Sequence, residues 1–293
     1  MTKAALFRWL KLVGRVLATS ALGLCGILLC VPLALLPQAT AVPVWVWLPL
    51  MIGAVALVVA AMRYAKGLRG AGFAVAGLAL TGALAVVASQ VFATTPPITD
   101  GQGHPIPGSI AVLETVDLNG SRQWISIRGR DVTKPVLLFL AGGPGGSQLA
   151  TARFALEGLE DHFVVVNWEQ PGSGKSFDAV DRSTLTPDRY LEDAHVLIGL
   201  LRERFHADKV YLLGESWGSA LGILYAQRYP EDVRAFVGTG QMVAFLENDL
   251  LCYDFALQLA RDNGDTAKVE TLVRQGPPPY YGNDVALKEA AFL

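Results

Sequence analysis

Acidic side chains are absent from the first 99 residues, which carry seven basic ones, whereas the chain from Asp100 onward holds the other 17 Lys/Arg and all 26 Asp/Glu. The two parts therefore have formal charges of +7 and −9, an asymmetry typical of a membrane-embedded segment joined to a soluble one. Charged residues are scarce overall, at 17% against roughly 25% in soluble domains, and the high apolar content excludes a disordered chain. The acidic second part disfavours nucleic acid as a partner, because phosphates require a basic surface.

Cysteine is also scarce, and the three that occur exclude a disulfide scaffold. Cys25 and Cys30 lie inside an apolar run, and Cys252 stands alone in the second part of the chain. Histidine and cysteine do not cluster at the spacing of metal ligands, so neither a metal nor another cofactor is expected.

Three long runs without charge lie in the first part, at residues 16–36, 44–62 and 71–92. Each reaches about the 20 residues that a helix needs to cross roughly 30 Å of hydrocarbon. Backbone amides in lipid must pair internally, so such runs indicate membrane spans. Trp45 and Trp47 open the second run, where indoles favour the level of the lipid headgroups. Residues 1–93 are therefore predicted to form a three-span anchor, with the lipid bilayer as a partner.

Basic residues predict the orientation of these spans, because cytoplasmic loops carry an excess of Lys and Arg. Four precede the first run and three lie between the second and third: Lys3, Arg8, Lys11 and Arg15, then Arg63, Lys66 and Arg69. The sequence thus predicts a multi-pass protein of the cell membrane with a cytoplasmic N-terminus and an extracytoplasmic second part. Two alternatives are weaker: a signal peptide cleaved near Ala39-Thr40-Ala41, and a transporter, which would need charged groups inside the spans.

The second part has the pattern of an α/β domain with a mainly parallel sheet. A linker rich in Pro and Gly covers residues 94–108, and a hairpin around Asn119-Gly120 follows it. Strands are predicted over residues 110–116, 124–127, 136–140, 163–166, 210–213 and 233–237, with helices between them. One helix begins at Thr186-Pro187, a favourable N-cap before a first-turn proline. Residues 109–242 form the predicted core, and residues 243–293 the start of a helical cap.

The clearest chemical signal is Gly214-Glu215-Ser216-Trp217-Gly218, a G-x-S-x-G motif between an apolar strand and a helix predicted over residues 220–228. Glycines at both ends give a tight strand-to-helix turn room to pack, and the turn exposes the serine hydroxyl. The N-terminus of the helix stabilises negative charge that develops beside it. Ser216 is therefore the candidate nucleophile of a serine hydrolase.

A second glycine-rich segment, Gly142-Gly143-Pro144-Gly145-Gly146, follows the buried strand predicted at residues 136–140. Backbone amides in such a loop can face a substrate carbonyl, because no side chain obstructs the approach. With the amide after the nucleophile, this loop would form an oxyanion hole. The run Gly174-Lys175-Ser176 ends like a phosphate-binding loop but has Glu169 where that motif needs glycine, so no nucleotide is expected.

Three ordered blocks resemble the proline iminopeptidase family of α/β-hydrolases: Gly142-Gly143-Pro144-Gly145, Glu169-Gln170-Pro171-Gly172-Ser173-Gly174-Lys175-Ser176 and Gly214-Glu215-Ser216-Trp217-Gly218. The resemblance implies that Ser216 is the nucleophile and that the amides of Gly143 and Trp217 form the oxyanion hole. It further implies an aminopeptidase acting through an acyl-enzyme on short peptides with an N-terminal proline or small residue. An esterase, acting on small esters, is the nearest alternative. Three positions depart from the family pattern, since Ala141 replaces a histidine and Glu169-Gln170-Pro171 replaces Asp-Gln-Arg.

A serine nucleophile needs a base and an orienting acid, which in this fold follow the serine along the chain. All four histidines precede Ser216, namely His104, His162, His195 and His206, and each is expected to be solvated or structural. The strands that would carry the acid and base are missing from the pattern, which predicts an α/β-hydrolase domain incomplete at its C-terminal end. A fragment of a longer enzyme is the favoured interpretation. The alternative is a non-catalytic, membrane-bound binding module that keeps the fold without a triad.

Overall fold

The structure is a computed structural model that describes residues 3–64, 68–280 and 288. The chain divides into two compact units, one formed mainly by the residues up to Pro97 and the other mainly by those from Ile98 onward. The predicted loop residue Lys66 and the predicted cap residues 281–287 and 289–293 lie outside the described residues.

The first unit contains three helices, α1 (Lys3–Ala39), α2 (Val44–Tyr64) and α3 (Leu68–Val91). Each contains a stretch long and apolar enough to cross a membrane, namely Val16–Gln38, Val44–Ala61 and Arg69–Val91. The helices also expose large apolar side chains, among them Ile27 at 68% and Phe73 at 70%. Helices that are apolar on all faces are typical of a membrane span or of the core of a large protein.

Small residues let the helices of this unit approach one another closely. A Cβ atom on Gly82 of α3 would lie 3.0 Å from the Leu29 carbonyl of α1, and one on Gly77 would lie 3.1 Å from the Leu57 side chain of α2. An apolar cluster joins the three helices, formed by Leu33, Leu36, Val42, Ala54, Leu78, Ala85 and Ala88. Close packing of this kind holds helices together in lipid, where the surrounding tails are as apolar as leucine.

Six strands form one sheet among the described residues, in the order β1-β2-β4-β3-β5-β6. They are β1 (Ile110–Leu118), β2 (Ser121–Gly129), β3 (Val136–Leu140), β4 (Val164–Glu169), β5 (Val210–Glu215) and β6 (Val233–Thr239). β2 pairs antiparallel with β4, whereas β3 pairs parallel with β4 and β5, and β5 pairs parallel with β6. The predicted mainly parallel sheet is confirmed. Its inner strands β3 and β4 are buried along their whole length, as parallel strands usually are.

In the part of the chain that the structure describes, these strands are connected and followed by α4 (Leu149–Ala155), α5 (Pro187–Phe205), α6 (Trp217–Arg228), α7 (Phe245–Asp262) and α8 (Thr266–Gln275). A buried polar network fastens α5 to the hairpin. Asp193 of α5 is fully buried and accepts hydrogen bonds from Asn119 at 2.8 Å, Gln123 at 2.6 Å and Arg189 at 3.0 Å. A buried carboxylate is tolerated here because charged and polar donors surround it.

Local boundaries differ from the predicted ones at several places, and all strands but β3 have other bounds than predicted. α6 begins at Trp217 rather than at residue 220, because Ser216 itself is the N-cap. β2 begins at Ser121, three residues before the predicted start, and continues to Gly129. The linker, predicted to lack regular structure, contains an isolated bridge between Thr99 and Pro105. The predicted start of α5 is confirmed, since the Thr186 side chain accepts a hydrogen bond from a first-turn amide.

Candidate active site

Ser216 lies in a sharp turn between the carboxyl end of β5 and the start of α6. Its backbone has φ 52° and ψ −119°, and a non-glycine residue in such a rarely occupied region stores about 1–3 kcal/mol of strain. The turn is held by β6, because the Ser216 amide donates a hydrogen bond to the Thr239 carbonyl at 2.9 Å. A strained serine at the carboxyl edge of a parallel sheet is the arrangement that a G-x-S-x-G sequence predicts for a nucleophile.

Both glycines of the motif are required by close backbone contacts. A Cβ atom on Gly214 would collide with the Gly218 carbonyl, and one on Gly218 would collide with the Leu140 carbonyl at the end of β3. α6 therefore packs directly against the ends of β3 and β5, with no room for a side chain between them. This contact brings the first turn of α6 to the point where the chain leaves β3.

The glycine loop, residues 142–146, leaves β3 there and passes beside Ser216. A Cβ atom on Gly142 would lie 3.2 Å from the Cβ of Ser216 and would collide with the Glu215 carboxylate. Gly143 has φ 129°, and a Cβ on it would lie 2.7 Å from the Gly145 amide nitrogen. Only glycine adopts such a backbone readily, so the loop conformation depends on these residues. Gly143 is therefore the residue directly after Gly142, which lies against Ser216.

The amide of Trp217 belongs to the first turn of α6, where backbone donors have no partner within the helix. Two later donors of the turn, the amides of Ser219 and Ala220, bond to the Ser216 carbonyl at 2.8 and 3.4 Å. The positive end of the helix dipole also lies at this turn. The structure therefore brings together, around Ser216, the two segments that carry the predicted oxyanion residues Gly143 and Trp217.

Polar side chains beside the serine form contacts that local sequence patterns do not reveal. Glu215, which directly precedes Ser216, accepts a hydrogen bond from Gln148 Nε2 at 3.0 Å. Gln148 in turn accepts one on its carbonyl from Asn167 Nδ2 at 3.2 Å. Gln170 is 3% exposed and bonds to residues of both candidate oxyanion segments. The sequence signals only the positions of Glu215 and Gln170, because Glu215 ends β5, Gln170 follows β4, and both strands reach the same edge of the sheet.

The second sequence block folds around the carboxylate of Glu169, which is 3% exposed. Ser173 Oγ and the Lys175 amide donate hydrogen bonds to it, both at 3.3 Å. The Lys175 ammonium lies 4.4 Å from the ring centroid of Trp124, and partial burial lowers the pKa of Lys175. The Lys175 amide, which a phosphate group bound in this segment would need, therefore already donates to the Glu169 carboxylate.

A cleft of about 450 Å³ opens beside the glycine loop. Its walls include Pro144 of the loop, Trp217 of α6, Tyr190 of α5 and Phe177. The rings of Tyr190 and Trp217 meet edge to face, with their centroids 5.6 Å apart. Burial, together with the charge of Asp193, raises the pKa of Tyr190 to about 12, so its hydroxyl stays protonated well into the alkaline range. The cleft thus adjoins both candidate oxyanion segments and is lined mostly by apolar residues.

Three of the four histidines lie at the edge of the sheet opposite Ser216. His162 precedes β4, His206 ends α5 just before β5, and His195 contacts Asp232, which precedes β6. These positions mark the amino ends of parallel strands, whereas Ser216 follows a carboxyl end. The length of β5 separates the two edges by roughly 17 Å at about 3.3 Å per residue. None of these imidazoles is therefore placed to take the proton of Ser216.

His195 instead belongs to a cluster of aromatic and acidic residues. Its Nδ1 lies 3.1 Å from the Tyr225 hydroxyl and 3.2 Å from Asp232 Oδ2, and its ring stacks on Tyr229 with centroids 4.0 Å apart. Burial, with the carboxylate of Asp232 beside it, raises the pKa of Tyr225. His104 is exposed in the linker. The structure thus gives His195 packing and hydrogen-bonding partners of its own, away from the serine.

Comparison with known proteins gives one family match. Residues 135–269 match a family model described as the alpha/beta hydrolase fold. Together with the observed sheet, this match confirms the predicted α/β-hydrolase fold.

Curated relatives carry aminopeptidase names. The chain is 32% identical over 157 residues to a probable aminopeptidase, YbaC, of Bacillus subtilis, covering 53% of this chain and 49% of that protein. It is 38% identical over 102 residues to a proline iminopeptidase of Saccharolobus solfataricus, covering 34% of this chain and 31% of that protein. A crystal structure of a proline iminopeptidase-related protein from Thermus thermophilus has 23% identity over half of each chain and a TM-score of 0.43. The chain thus spans half or less of the length of these curated relatives, and its predicted resemblance to proline iminopeptidases is confirmed.

Proposed function

We propose that this chain, which has an α/β-hydrolase fold and is homologous to proline iminopeptidases, is a membrane-anchored serine hydrolase acting as an aminopeptidase. The observation that carries the proposal is Ser216 in its strained turn, with the glycine loop against its Cβ and the start of α6 directly after it. Strain of this kind persists only where the surrounding structure enforces it, and it concentrates at functional sites. The aminopeptidase names of the relatives support the substrate class.

In the proposed reaction, Ser216 Oγ attacks the carbonyl carbon of the first peptide bond, and its proton passes to a base. The carbonyl oxygen becomes an oxyanion and accepts hydrogen bonds from the amides of Gly143 and Trp217. Collapse of this intermediate breaks the C–N bond, returns the proton to the leaving amine and leaves an acyl group on Ser216. Water then hydrolyses the acyl-enzyme. Each donor lost from such a hole lowers the rate by about 10²–10³.

The described residues do not supply the base of this reaction, because no histidine among them lies at the carboxyl edge of the sheet. The alternative function is a membrane-bound binding module that keeps the fold without turnover. The two candidates differ in one measurable property. A hydrolase modifies Ser216 covalently during the reaction, whereas a binding module retains its ligand unchanged.

The proposed substrate is a short peptide, or a small amide, with proline or another small residue at its N-terminus. The mostly apolar cleft beside the glycine loop supports this choice, because apolar walls next to a few backbone donors suit a small, mostly apolar group. Ala141, Glu169 and Pro171 depart from the family pattern, so the preferred first residue is left to measurement. No metal or other cofactor enters this mechanism.

The proposal is tested by assaying membranes from cells that express the protein from its complete gene. The substrates are a prolyl 4-nitroanilide and a 4-nitrophenyl ester, and the variants are Ser216→Ala and, as a matched control, Ser147→Ala. Ser147 is an exposed serine at the end of the glycine loop. We expect the wild type and the control to cleave the anilide and Ser216→Ala to be inactive. Cleavage of the ester alone would indicate an esterase, and no cleavage by the wild type would favour the binding module.

The anchor is proposed from the three apolar helices, each long enough to cross a bilayer. We propose residues 1–93 as the membrane region, 94–108 as a linker, 109–242 as the hydrolase core and 243–293 as the start of a cap. The basic residues near α1 and between α2 and α3 favour a cytoplasmic N-terminus and an extracytoplasmic hydrolase. Alkaline phosphatase fused after Gly108 is then active, and the same reporter fused after Arg69 is inactive. The reverse pattern would contradict the proposed orientation.

A further inference from the structure

Gln170 connects the two segments that carry the candidate oxyanion amides. Its Nε2 donates a hydrogen bond to the Ala141 carbonyl at 3.1 Å, and its Oε1 accepts one from Trp217 Nε1 at 3.1 Å. The side chain is 3% exposed, so neither bond is readily replaced by bulk water. The orientation of its amide is fixed by chemistry, because a carbonyl only accepts hydrogen bonds and an indole N–H only donates them.

The two partners of Gln170 lie directly beside the proposed reaction centre. Ala141 precedes Gly142, the residue that meets Ser216, and Trp217 directly follows the serine. Tyr190 also contacts this arrangement, since its ring packs edge to face on Trp217 and its hydroxyl donates to the Pro171 carbonyl at 3.0 Å. Trp217 thus contacts both Gln170 and Tyr190.

An oxyanion hole depends on the spacing of its donors. Two amides stabilise a tetrahedral intermediate only if both lie about 2.7–3.1 Å from the position that the oxyanion will occupy. In this protein the amides belong to separate segments, one after β3 and one at the start of α6. A short, buried bridge between those segments therefore fixes the distance between the donors.

We infer that Gln170 is a positioning residue, which sets the spacing between the Gly143 and Trp217 amides by bonding to Ala141 and to the Trp217 indole. This inference rests on the proposed hydrolase function. A structural glutamine would also make two buried hydrogen bonds, so loss of stability alone does not distinguish the roles. The distinguishing property is that loss of the bridge slows attack on Ser216 while leaving substrate binding in place.

Gln123 provides a matched control within the same domain. It is also fully buried, and its Oε1 also accepts a hydrogen bond from a tryptophan, Trp168, at 2.8 Å. Its Nε2 donates to Ser121 Oγ and to Asp193, in the network that fastens α5 to the hairpin. Replacing it with leucine removes a buried glutamine–tryptophan bond without touching Ala141 or Trp217.

The experiment compares Gln170→Leu with Gln123→Leu in the membrane-bound protein expressed from its complete gene. Two rates are measured, turnover of a prolyl 4-nitroanilide and labelling of Ser216 by a fluorophosphonate. Because small misplacements of reacting groups cost up to about 100-fold in rate, we expect Gln170→Leu to lower kcat and the labelling rate by about 10- to 100-fold. KM should change less than about twofold. Gln123→Leu should melt at a lower temperature and keep both rates.

A second variant breaks the same bridge from its other end. Trp217→Phe keeps an aromatic ring but removes the indole donor, so it should slow labelling without loss of folded protein. If Gln170 acts through Trp217, the double variant should be no slower than the slower single variant, because coupled residues are not additive. This variant keeps the inference testable even where Gln170→Leu fails to fold.

The outcomes separate the inference from the function on which it rests. If the wild type, Gln170→Leu and Trp217→Phe all label on Ser216 at the same rate, the inference is overturned and the proposed function stands. A rise in KM with unchanged kcat would also overturn it, since that would place Gln170 in substrate binding. Absence of Ser216 labelling in the wild type would overturn the proposed function, and the inference with it.

Discussion

Gly218→Ala tests the packing of the serine turn with a single added methyl group. The Cβ of alanine at residue 218 would occupy the space of the Leu140 carbonyl at the end of β3. A backbone carbonyl cannot rotate away as a flexible side chain can, so either β3 or α6 must shift. Shifts of this kind in well-packed regions cost about 1–3 kcal/mol, and occasionally more.

Gly199→Ala is the matched control for this change. Gly199 lies within α5, is exposed, and has no atom within 4 Å of the position that its Cβ would take. In a helix, alanine is favoured over glycine by about 1 kcal/mol. Residue 218 is the second residue of α6, where this preference of the helix interior does not apply. Gly199→Ala therefore shows the effect of adding an uncrowded methyl group to a helix of the same domain.

The two variants are compared by thermal unfolding in detergent micelles. A change of 1 kcal/mol shifts the Tm of a domain of 150–250 residues by roughly 2–4 °C. Gly199→Ala should therefore melt about 2–4 °C above the wild type. Gly218→Ala should melt about 2–12 °C below it. Gly218→Ala should also label more slowly with a fluorophosphonate, since a shift of α6 moves the Trp217 amide. Equal melting temperatures for the two variants would refute the close contact between α6 and β3.

Three further predictions concern other parts of the chain. Asp193→Ala should lower the free energy of unfolding by about 3–5 kcal/mol, because Arg189 loses its buried partner; a loss below about 1 kcal/mol in urea unfolding would contradict this role. The pKa of Tyr190 is raised to about 12, so its neutral hydroxyl contributes to the free energy of unfolding. This contribution is complete below pH 10 and is lost as the pH rises through 12. Tyr190→Phe should remove about 2–3 kcal/mol of that alkaline loss, and an unchanged pH profile of unfolding would disprove it. Gly82→Leu should lower the Tm of the helical unit in micelles and Gly72→Leu should not, because only Gly82 meets a backbone carbonyl; equal shifts would refute that packing.

Features that depend on neighbours in sequence could be predicted without a structure. The buried strand at residues 136–140 is recognisable because five consecutive apolar residues suit a strand covered on both faces. The turn at Ser216 is recognisable because two glycines flank a serine between a strand and a helix. The start of α5 follows from Thr186, whose side chain can cap the first turn.

Features that depend on distant partners could not be predicted in this way. The apolar runs of β3 and β4 are alike, so their composition does not reveal that β4 lies between β2 and β3. The bond between Trp217 and Gln170 joins residues 47 positions apart, and nothing near either residue indicates the other. The start of α6 at Trp217 also differs from the predicted one, since Ser216 is the N-cap although its side chain makes no capping hydrogen bond.

The identity of the residue that reacts with a fluorophosphonate tests the central claim most directly. Membranes from cells expressing the complete gene are treated with the probe, digested, and analysed by mass spectrometry. The proposed function predicts one modified peptide, with the adduct on Ser216, and no adduct in Ser216→Ala, while Ser147→Ala is labelled like the wild type. An adduct on another serine of this protein, or an unmodified Ser216 after full exposure to the probe, would contradict the claim that the strained serine is the nucleophile.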